Sequence, residues 1–256
     1  MSSAYQPRTD QQQVEDYSAA IQSARKEGEN SFHNWFNSAA DVRESIIKGH
    51  WDMSTHILTP AVEQGLRFPQ RLTALEIGYG GGRLLNAACS FFHHAIGVDI
   101  HSEQQAAEEF LNSQGKSNFT LHTCDGISLP VESESIDFVY SFIVLQHLPR
   151  FSTFESYWRE THRVLRPGGV AQLYFGSWRK LNRKVRWANH RQGHFEVPDP
   201  QPNHTTLVLR VGFAKALARR LGFSVVDSGP SRRYAIHGAC NSKGGQDYLT
   251  LLKPVA

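Results

Sequence analysis

The sequence contains little cysteine and no long apolar run. Its three cysteines, Cys89, Cys124 and Cys240, form an odd set without a Cys-x-x-Cys pair. Cys89 and Cys124 fall on segments that the pattern predicts to be buried, which indicates unreactive core thiols in a reducing compartment. No apolar stretch approaches the roughly 18 residues of a membrane span. The polar N-terminus lacks the apolar core of a signal peptide, so we expect a soluble cytoplasmic protein.

An excess of charge of one sign is also missing. The chain has 27 Lys and Arg against 24 Asp and Glu, a formal net charge of +3. That excess is too small to indicate a nucleic-acid-binding protein by itself. The 40% apolar and 11% aromatic content is typical of a globular chain, which excludes a disordered one. Its 256 residues suffice for one large domain or two small ones.

Residues 72–99 combine a strand, a glycine turn, a helix and a second strand. The apolar run 72–77 predicts a parallel strand buried on both faces. Apolar residues at helical spacing over 83–92 predict a helix, and 95–98 resumes as a strand. Asp99 stands at the carboxyl end of that strand. Open α/β sheets bind ligands at this edge, where an acid can accept hydrogen bonds from a ribose diol.

The spacing of the glycines separates two kinds of nucleotide site. A dinucleotide-binding turn needs G-x-G-x-x-G. Here the pattern is G-x-G-x-G from Gly78 to Gly82, with Glu76 before it and Arg83 in the sixth position. This form closely resembles motif I of class I S-adenosylmethionine-dependent methyltransferases and disfavours NAD. The resemblance implies that the turn lies under the methionine part of the cofactor and that Asp99 binds its ribose.

Strand and helix signals alternate through the rest of the chain. Ser102 with Gln105, and Ser152 with Glu155, form capping pairs for two helices. A turn at 166–169 precedes the fifth strand, and a helix is expected over about 206–221. Regular alternation indicates right-handed crossovers and a parallel sheet. We predict a doubly wound, Rossmann-like α/β fold with seven strands, mostly parallel with an antiparallel last strand, and helices on both faces. The remaining strands are expected at 119–124, 136–142, 170–175, 223–226 and 248–252.

Three later motifs resemble the same family in order: residues 124–126, residues 136–147 and residues 164–169. The resemblance covers 72–175 and is similar to the small-molecule, quinone-biosynthesis and natural-product subgroup. It implies S-adenosylmethionine as cofactor and S-adenosylhomocysteine as product, with Asp125 meeting the adenine amino group. The alternative for Asp125 is a turn residue that bonds its own backbone, and Asp137 is interpreted as structural. The implied cofactor-binding residues are Glu76, Gly78, Tyr79, Gly80, Gly82, Asp99, Ile100, Asp125, Gly126, Ser141 and Phe142.

No catalytic residue is assigned by the sequence. An activated methyl donor requires mainly alignment and exclusion of water. A general base need not lie in any cofactor motif. His147, after the fourth strand, is a weak candidate for such a base, with a plain loop residue as the alternative, and His50 and Tyr174 are weaker still.

The thirteen histidines raise the question of a metal site. His190 and His194 are four residues apart, and His204 follows ten residues later. Gly193 and the nearby prolines make a rigid helical site doubtful. We expect no bound metal.

Residues 1–70 are predicted to form an N-terminal helical segment, and residues 71–256 a methyltransferase domain with an insertion at 176–204. Asp41 with Glu44, and Thr59 before Pro60, are helix-start signals. The helices either pack on the sheet or form a lid, in which case Gly49-His50-Trp51 is the expected ligand contact. Two apolar stripes mark the first helices: Val14, Tyr17, Ile21 and Ala24, then Phe32, Trp35, Phe36 and Ala39.

Residues 178–194, the basic segment, contain six Lys or Arg and no acid. Three interpretations are open: a solvated amphipathic helix, recognition of an anionic small substrate, or nucleic-acid contact in which Trp178 and Trp187 stack on bases. The Asp/Asn-Pro-Pro-aromatic motif of amino-directed DNA methyltransferases is absent after the fourth strand. The loop 198–202 breaks regular structure.

We therefore expect a methyltransferase that acts on a small-molecule acceptor, possibly anionic, with no membrane partner and nucleic acid disfavoured. Its oligomeric state stays open. The alternatives are a nucleic-acid or protein methyltransferase, and a non-catalytic regulatory protein that binds S-adenosylmethionine.

Overall fold

The computed structural model describes residues 10–37, 41–198, 204–235 and 238–255. Ala39, expected in the second apolar stripe, and residues 199–202 of the predicted proline loop lie outside this part. Within it, no helix has both the length and the apolar character needed to cross a bilayer.

Nine strands in the described residues form a single sheet. Five of them run parallel in the order β3-β2-β1-β4-β5. Their carboxyl ends meet at one edge, where a doubly wound sheet binds its ligands. The strands are β1 (Thr73–Ile77), β2 (His94–Asp99), β3 (Phe119–Thr123), β4 (Ile136–Ser141), β5 (Leu165–Ser177), β6 (His194–Glu196), β7 (Leu207–Leu209), β8 (Ser224–Ala235) and β9 (Gly238–Leu252).

The other edge of β5 completes the predicted seven-stranded arrangement. The last strand, β9, pairs antiparallel with residues 170–176 of β5, and β8 pairs antiparallel with β9. The predicted fold, mostly parallel with an antiparallel last strand, is therefore confirmed. Two short strands that the sequence did not indicate are added, one within the predicted insertion and one just after it. Of these, β7 runs parallel to the end of β5, and β6 pairs antiparallel with β7.

Helices cover both faces of the sheet, as predicted. Two of the expected helix starts are confirmed: the Asp41 side chain accepts the Glu44 N–H at 2.8 Å, and Thr59 accepts the Val62 N–H at 3.4 Å. The α-helices are α1 (Asp10–Glu27), α2 (Glu29–Asn37), α3 (Val42–Asp52), α4 (Pro60–Gly65), α5 (Arg83–Phe91), α6 (Gln104–Ser113), α7 (Phe151–Val164), α8 (Arg183–Ala188) and α9 (Val211–Arg220).

The two predicted capping pairs at Ser102 and Ser152 are wrong, because distant or unexpected groups bind the free N–H groups. At the start of α6, the ring of His101 accepts the Glu103 N–H at 3.1 Å. At the start of α7, the Phe151 N–H donates to Oε1 of Glu196, a residue of β6, at 2.7 Å. Acceptors brought by the tertiary fold satisfy helix ends as well as local caps do.

Two predicted boundaries also differ. The helix expected from Thr206 begins only at Val211, because residues 207–209 pair with β5 and β6 as strand β7. The turn expected at 166–169 is part of β5. There the Gly168 N–H donates to the Lys253 carbonyl at 2.8 Å, and the Lys253 N–H donates to the Gly169 carbonyl at 2.9 Å. These two bonds continue the antiparallel pairing of β5 with β9.

Alternating side chains of the strands build two core clusters, one on each face. On β4, Val139 packs with α7 and α9, whereas Phe138 and Tyr140 pack with α5 and the N-terminal helices. Cys89 is buried, and burial raises the pKa of its thiol to about 11. Cys124 is half-buried and its pKa is raised by the same cause. Both thiols are free, as expected of core cysteines.

Candidate functional site

The glycine turn at the end of β1 has a backbone that only glycine adopts easily. Gly78 and Gly80 have φ angles of +82° and +53°, in the left-handed region that side chains disfavour. A Cβ at Gly78 would lie 2.3 Å from Cγ2 of Val144, and one at Gly80 would lie 2.7 Å from Cδ1 of Phe36. The turn is therefore held between the loop after β4 and helix α2.

Asp99 ties this turn to the end of β2. Its Oδ2 accepts the Gly80 N–H at 2.8 Å and its Oδ1 accepts the Ile100 N–H at 2.7 Å. Its side chain is only 12% exposed. Hydrogen bonds from backbone N–H groups to a carboxylate are among the stronger ones. Each oxygen keeps acceptor capacity for a further donor.

His101 fixes the turn from the other side. Its Nδ1 accepts the Glu103 N–H, so Nε2 carries the hydrogen and donates to the Gly80 carbonyl at 3.0 Å. The ring is fully buried. Both polar groups of Gly80 are thus bound by side chains at the carboxyl end of β2.

A cavity opens beside this turn and holds about 910 Å³ of space, counting the part open to solvent. Asp99 is the only carboxylate of the described residues in its wall, and none of these residues is Lys or Arg. The sheet edge contributes Ile77, Gly78, Gly80, Val98, Asp99, Ile100 and Gly126. The remaining wall comes from α1 and α2 (Val14, Tyr17, Ile21, Trp35, Phe36), from the loop after β4 (Ile143, Val144, His147, Leu148, Pro149) and from α7 (Thr153, Tyr157).

The structure divides the residues predicted to bind the cofactor into two groups. In the cavity wall lie Gly78, Gly80, Asp99, Ile100 and Gly126. The other six are close in sequence but are not part of that wall: Glu76, Tyr79, Gly82, Asp125, Ser141 and Phe142. Each of the six has another physical role.

Glu76 is buried beneath the turn, with 3% of its surface exposed. The Tyr140 hydroxyl donates to its Oε2 at 3.1 Å. Burial raises the pKa of the Glu76 carboxyl to about 8, against the opposing effects of the Tyr140 bond and the Arg83 charge. Arg83 itself forms an ion pair with Asp52 of α3. At neutral pH Glu76 is therefore mainly a protonated, structural carboxyl group.

Tyr79, Ser141 and Phe142 hold the strand ends rather than face the cavity. The buried Tyr79 ring packs edge-on against His101 at 5.1 Å, and burial raises the pKa of its hydroxyl. The Ser141 hydroxyl donates to the Ile77 carbonyl at 3.0 Å. Phe142 stacks on His56 at 4.8 Å between ring centroids. Gly82, with φ of +84°, precedes the first turn of α5.

Asp125 bonds its own turn, which is the alternative considered from the sequence. Its Oδ1 accepts the N–H groups of Ile127 and Ser128 at 2.8 and 2.7 Å, and its Oδ2 accepts the Ser128 hydroxyl at 2.9 Å. Partial burial raises the pKa of Asp125, but these hydrogen bonds outweigh burial and hold the pKa below its usual value. Gly126 takes its place in the wall. Asp137 is structural, as predicted: it accepts the Thr73 N–H at 2.8 Å and pairs with Arg166 at 3.0 Å.

His147 lies in the wall, close to Tyr17 at 6.4 Å between ring centroids. Its Nδ1 donates to the His204 carbonyl at 2.7 Å, so Nε2 is the basic nitrogen and lies 3.1 Å from the Gln146 amide nitrogen. Burial lowers the pKa of the imidazole, although the backbone bond opposes this effect. The ring is therefore neutral, and its one lone pair accepts from Gln146.

The weaker base candidates are placed elsewhere. His50 donates from Nδ1 to the Ile46 carbonyl of its own helix at 3.1 Å. The Tyr174 hydroxyl donates to the His56 carbonyl at 2.9 Å inside the core. Neither residue is in the cavity wall.

The segment Gly49-His50-Trp51, where a ligand contact was expected, packs on α5 and is not part of the cavity wall. A Cβ at Gly49 would lie 2.3 Å from the Arg83 carbonyl oxygen. The wall comes instead from Tyr17, Trp35 and Phe36, whose rings meet edge-on at 5.9 and 4.9 Å. The aromatic stripe predicted for α2 was the signal that would have identified them.

The loop after β4 contains the strained residue of the wall. Ile143 has a φ angle of +60°, a conformation that a β-branched side chain rarely adopts. Strain of this kind persists where surrounding contacts impose it, and it clusters at functional sites. Sequence pattern gave no indication of it.

The basic segment does not reach the described wall. Its helix α8 has no buried residue. His190 lies 3.1 Å from a guanidinium nitrogen of Arg210, and His194 stacks on Phe151 at 4.3 Å. The rings of His190 and His194, two of the three histidines considered for a metal, thus have different partners.

Comparison with known proteins finds similarity to methyltransferases over the middle part of the chain. The sequence pattern described as a methyltransferase domain matches residues 75–173. The chain is 25% identical over 166 residues to a tRNA (carboxymethyluridine(34)-5-O)-methyltransferase of Macaca fascicularis. The aligned region covers 62% of this chain and 24% of that protein. The chain is 26% identical over 174 residues to the sterol 24-C-methyltransferase of Pneumocystis carinii, covering 66% of this chain and 43% of that protein. The chain therefore spans less than half the length of these relatives.

Among solved structures, the chain is similar to an S-adenosylmethionine-dependent methyltransferase from Methanosarcina mazei. The TM-score is 0.58 with 22% identity, and the alignment covers 78% of this chain and 99% of that one. At this identity the likeness establishes a shared fold.

Proposed function

We propose that this chain binds S-adenosylmethionine at the glycine turn and methylates a small-molecule acceptor, because residues 75–173 match the methyltransferase-domain pattern and the fold resembles that of an S-adenosylmethionine-dependent methyltransferase. The observation that carries the proposal is the continuous cavity wall. It joins the turn and Asp99 to the aromatic side chains of α1 and α2. One cavity thus offers a polar end for a nucleoside and an apolar end for an acceptor.

The residues at the polar end fit the cofactor. Gly78 and Gly80 lie in the cavity wall with a left-handed backbone that only glycine adopts easily, so the turn brings backbone atoms to the cavity without side chains of its own. The Asp99 carboxylate has acceptor capacity left for two ribose hydroxyls. Ile100 and Gly126 supply apolar surface for a base. Arg83, in the position that a dinucleotide-binding turn reserves for glycine, is engaged by Asp52, which supports S-adenosylmethionine over NAD.

When bound, S-adenosylmethionine supplies a methyl group that its sulfonium has already activated. The chain then has to align the acceptor and keep water away from it. Tyr17, Trp35 and Phe36 provide a rigid aromatic wall for both tasks. His147 holds a basic nitrogen at the same wall, where it can accept a proton from an acidic acceptor once the Gln146 amide gives way.

The proposed acceptor is a small molecule with a large apolar surface. The described wall presents no Lys or Arg to an anion, so an anionic acceptor has less support than the sequence suggested. The named relatives methylate a tRNA uridine and a sterol, and these acceptors differ too widely to choose one. We propose that the reaction takes place inside the cell, in the cytoplasm.

Calorimetry with S-adenosylmethionine, S-adenosylhomocysteine and NAD tests the cofactor. We expect both sulfur compounds to bind and NAD not to bind. Binding of NAD alone would overturn the assignment. A screen of apolar metabolites that follows S-adenosylhomocysteine formation then tests the acceptor. Cofactor binding without turnover on any of them, but with turnover on tRNA or protein, would replace the small-molecule acceptor and leave the cofactor site intact.

A further inference from the structure

The positive charge of this chain is concentrated in the basic segment. The whole chain has a formal net charge of +3, while residues 178–194 carry six positive charges and no negative one. The rest of the chain therefore has a net charge of −3. A local excess of this kind creates a positive potential on one part of the surface.

Most of this charge is not neutralised within the described residues. Arg179 pairs with Asp247 at 2.9 Å. None of the other five cations of the segment forms an ion pair with a carboxylate of the described residues. Within the six-residue helix α8, Arg183 and Arg186 are three residues apart on one face, which destabilises a helix. Local stability therefore does not explain the composition. The five are Lys180, Arg183, Lys184, Arg186 and Arg191.

The same helix exposes a tryptophan. Trp187 is 82% exposed, whereas Trp158 and Trp178 are buried. Trp187 follows Arg183 by four residues, so ring and guanidinium share a helix face. In proteins that bind single-stranded nucleic acid, an exposed aromatic ring stacks on a base while the cations beside it bind phosphates. Trp187 and its neighbouring cations form a surface of this kind.

We propose that the basic segment binds single-stranded nucleic acid, with Arg183, Lys184 and Arg186 contacting phosphates and Trp187 stacking on a base. Recognition is independent of base sequence, because a π-face and a phosphate are common to every nucleotide. A membrane surface fits less well, since α8 is short, has one large exposed apolar side chain and lacks the apolar face of an interfacial helix. This surface lies outside the methylation cavity and goes beyond the proposed function.

The insertion is attached to the loop that carries His147. The Thr206 N–H donates to the Gln146 carbonyl at 2.8 Å, and the Thr206 hydroxyl donates to the Leu148 carbonyl at 2.7 Å. These two bonds anchor the chain that follows the basic segment to the loop after β4.

The test is fluorescence anisotropy of labelled oligo-dT and oligo-rU of roughly 15 nucleotides with the full chain, between about 50 and 200 mM salt. We expect binding of both that weakens as salt rises. Arg183→Gln with Arg186→Gln should reduce the slope of log K against log salt by about 1.4, or about 0.7 per lost phosphate contact. Trp187→Ala should weaken binding about 5-fold to 100-fold, and Trp187→Phe should retain most of the affinity.

A matched control is Arg43→Gln with Arg67→Gln, two exposed cations outside the basic segment, which should leave binding unchanged. Since α8 has no buried residue, the variants should melt as the parent does and bind S-adenosylmethionine equally. Loss of S-adenosylmethionine binding would count against the proposed cofactor site, whereas the nucleic-acid proposal is decided by the oligonucleotide measurements.

Three results would overturn the proposal. The first is the absence of oligonucleotide binding at low salt, or binding that the α8 variants do not alter. The second is binding to phosphatidylserine vesicles, but not to oligonucleotides, with the same dependence on Trp187, which would assign the surface to a membrane. The third is equal affinity for inorganic phosphate and for the oligonucleotides, which would indicate a small-anion site.

Discussion

Glu76→Gln should remove a large part of the pH dependence of this protein's stability. The carboxyl is buried under the glycine turn and bonded by Tyr140. Burial raises its pKa from 4.5 to about 8 in the folded state. The unfolded chain, in which the group is solvated, keeps the ordinary value.

The sign and size of the effect follow from proton linkage. Between the two pKa values the folded state holds a proton that the unfolded state has lost. The free energy of unfolding therefore falls by about 1.4 kcal/mol for each unit of rising pH. The contribution is fully present below pH 4.5 and is lost as the pH rises through about 8. A glutamine resembles the protonated acid in size and charge and keeps an acceptor for the Tyr140 hydroxyl.

Urea unfolding at a series of pH values between about 5 and 9 measures this difference. We expect the parent to lose stability across that range relative to Glu76→Gln, which should be the more stable protein at the alkaline end. Glu63→Gln, at an exposed position on α4, is the matched control and should follow the parent curve. A Glu76→Gln curve parallel to that of the parent would refute the reasoning, because it would mean that Glu76 is charged in the folded protein at neutral pH.

Three further predictions concern the site. Asp99→Ala should weaken S-adenosylmethionine binding by about 1–3 kcal/mol and also lower the free energy of unfolding, since two backbone N–H groups lose their acceptor. Calorimetry and urea unfolding measure both, with Asp125→Ala as the variant that should keep cofactor affinity. Gly78→Ala should destabilise by about 1–3 kcal/mol through its left-handed backbone and the contact with Val144, and an unchanged melting temperature would contradict this. His147→Gln should gain stability relative to the parent as pH falls below about 6.5, because burial lowers the folded-state pKa of His147. Coincident curves would show that the ring stays solvated.

The sequence predicted best what is decided by neighbouring residues. The glycine turn, the helix that follows it and Asp99 are all set within 28 residues, and the left-handed φ angles of Gly78 and Gly80 explain why glycine stands there. The mostly parallel sheet followed from the alternation of strands and helices. Local chemistry therefore predicted the residues at the end of the cavity where we propose that the cofactor binds.

The sequence failed where a distant group took over a local role. Glu196, far along the chain, accepts the Phe151 N–H that Ser152 was expected to support. Glu76 and Ser141 stand in motif positions, but their side chains turn to Tyr140 and to the Ile77 carbonyl instead of the cavity. At the end of a buried strand, packing decides whether a side chain points into the cavity or into the core. A sequence motif does not contain that information.

The division between the two ends of the cavity explains why the comparisons define a reaction more sharply than an acceptor. The family match begins at residue 75, after α1 and α2, so Tyr17, Trp35 and Phe36 lie outside it. These aromatic side chains form much of the apolar wall, and apolar walls set the shape that an acceptor must have. Relatives that are similar over this region can therefore differ in acceptor, as a tRNA and a sterol methyltransferase do. The acceptor of this chain is accordingly to be sought from its N-terminal helices and the loop after β4.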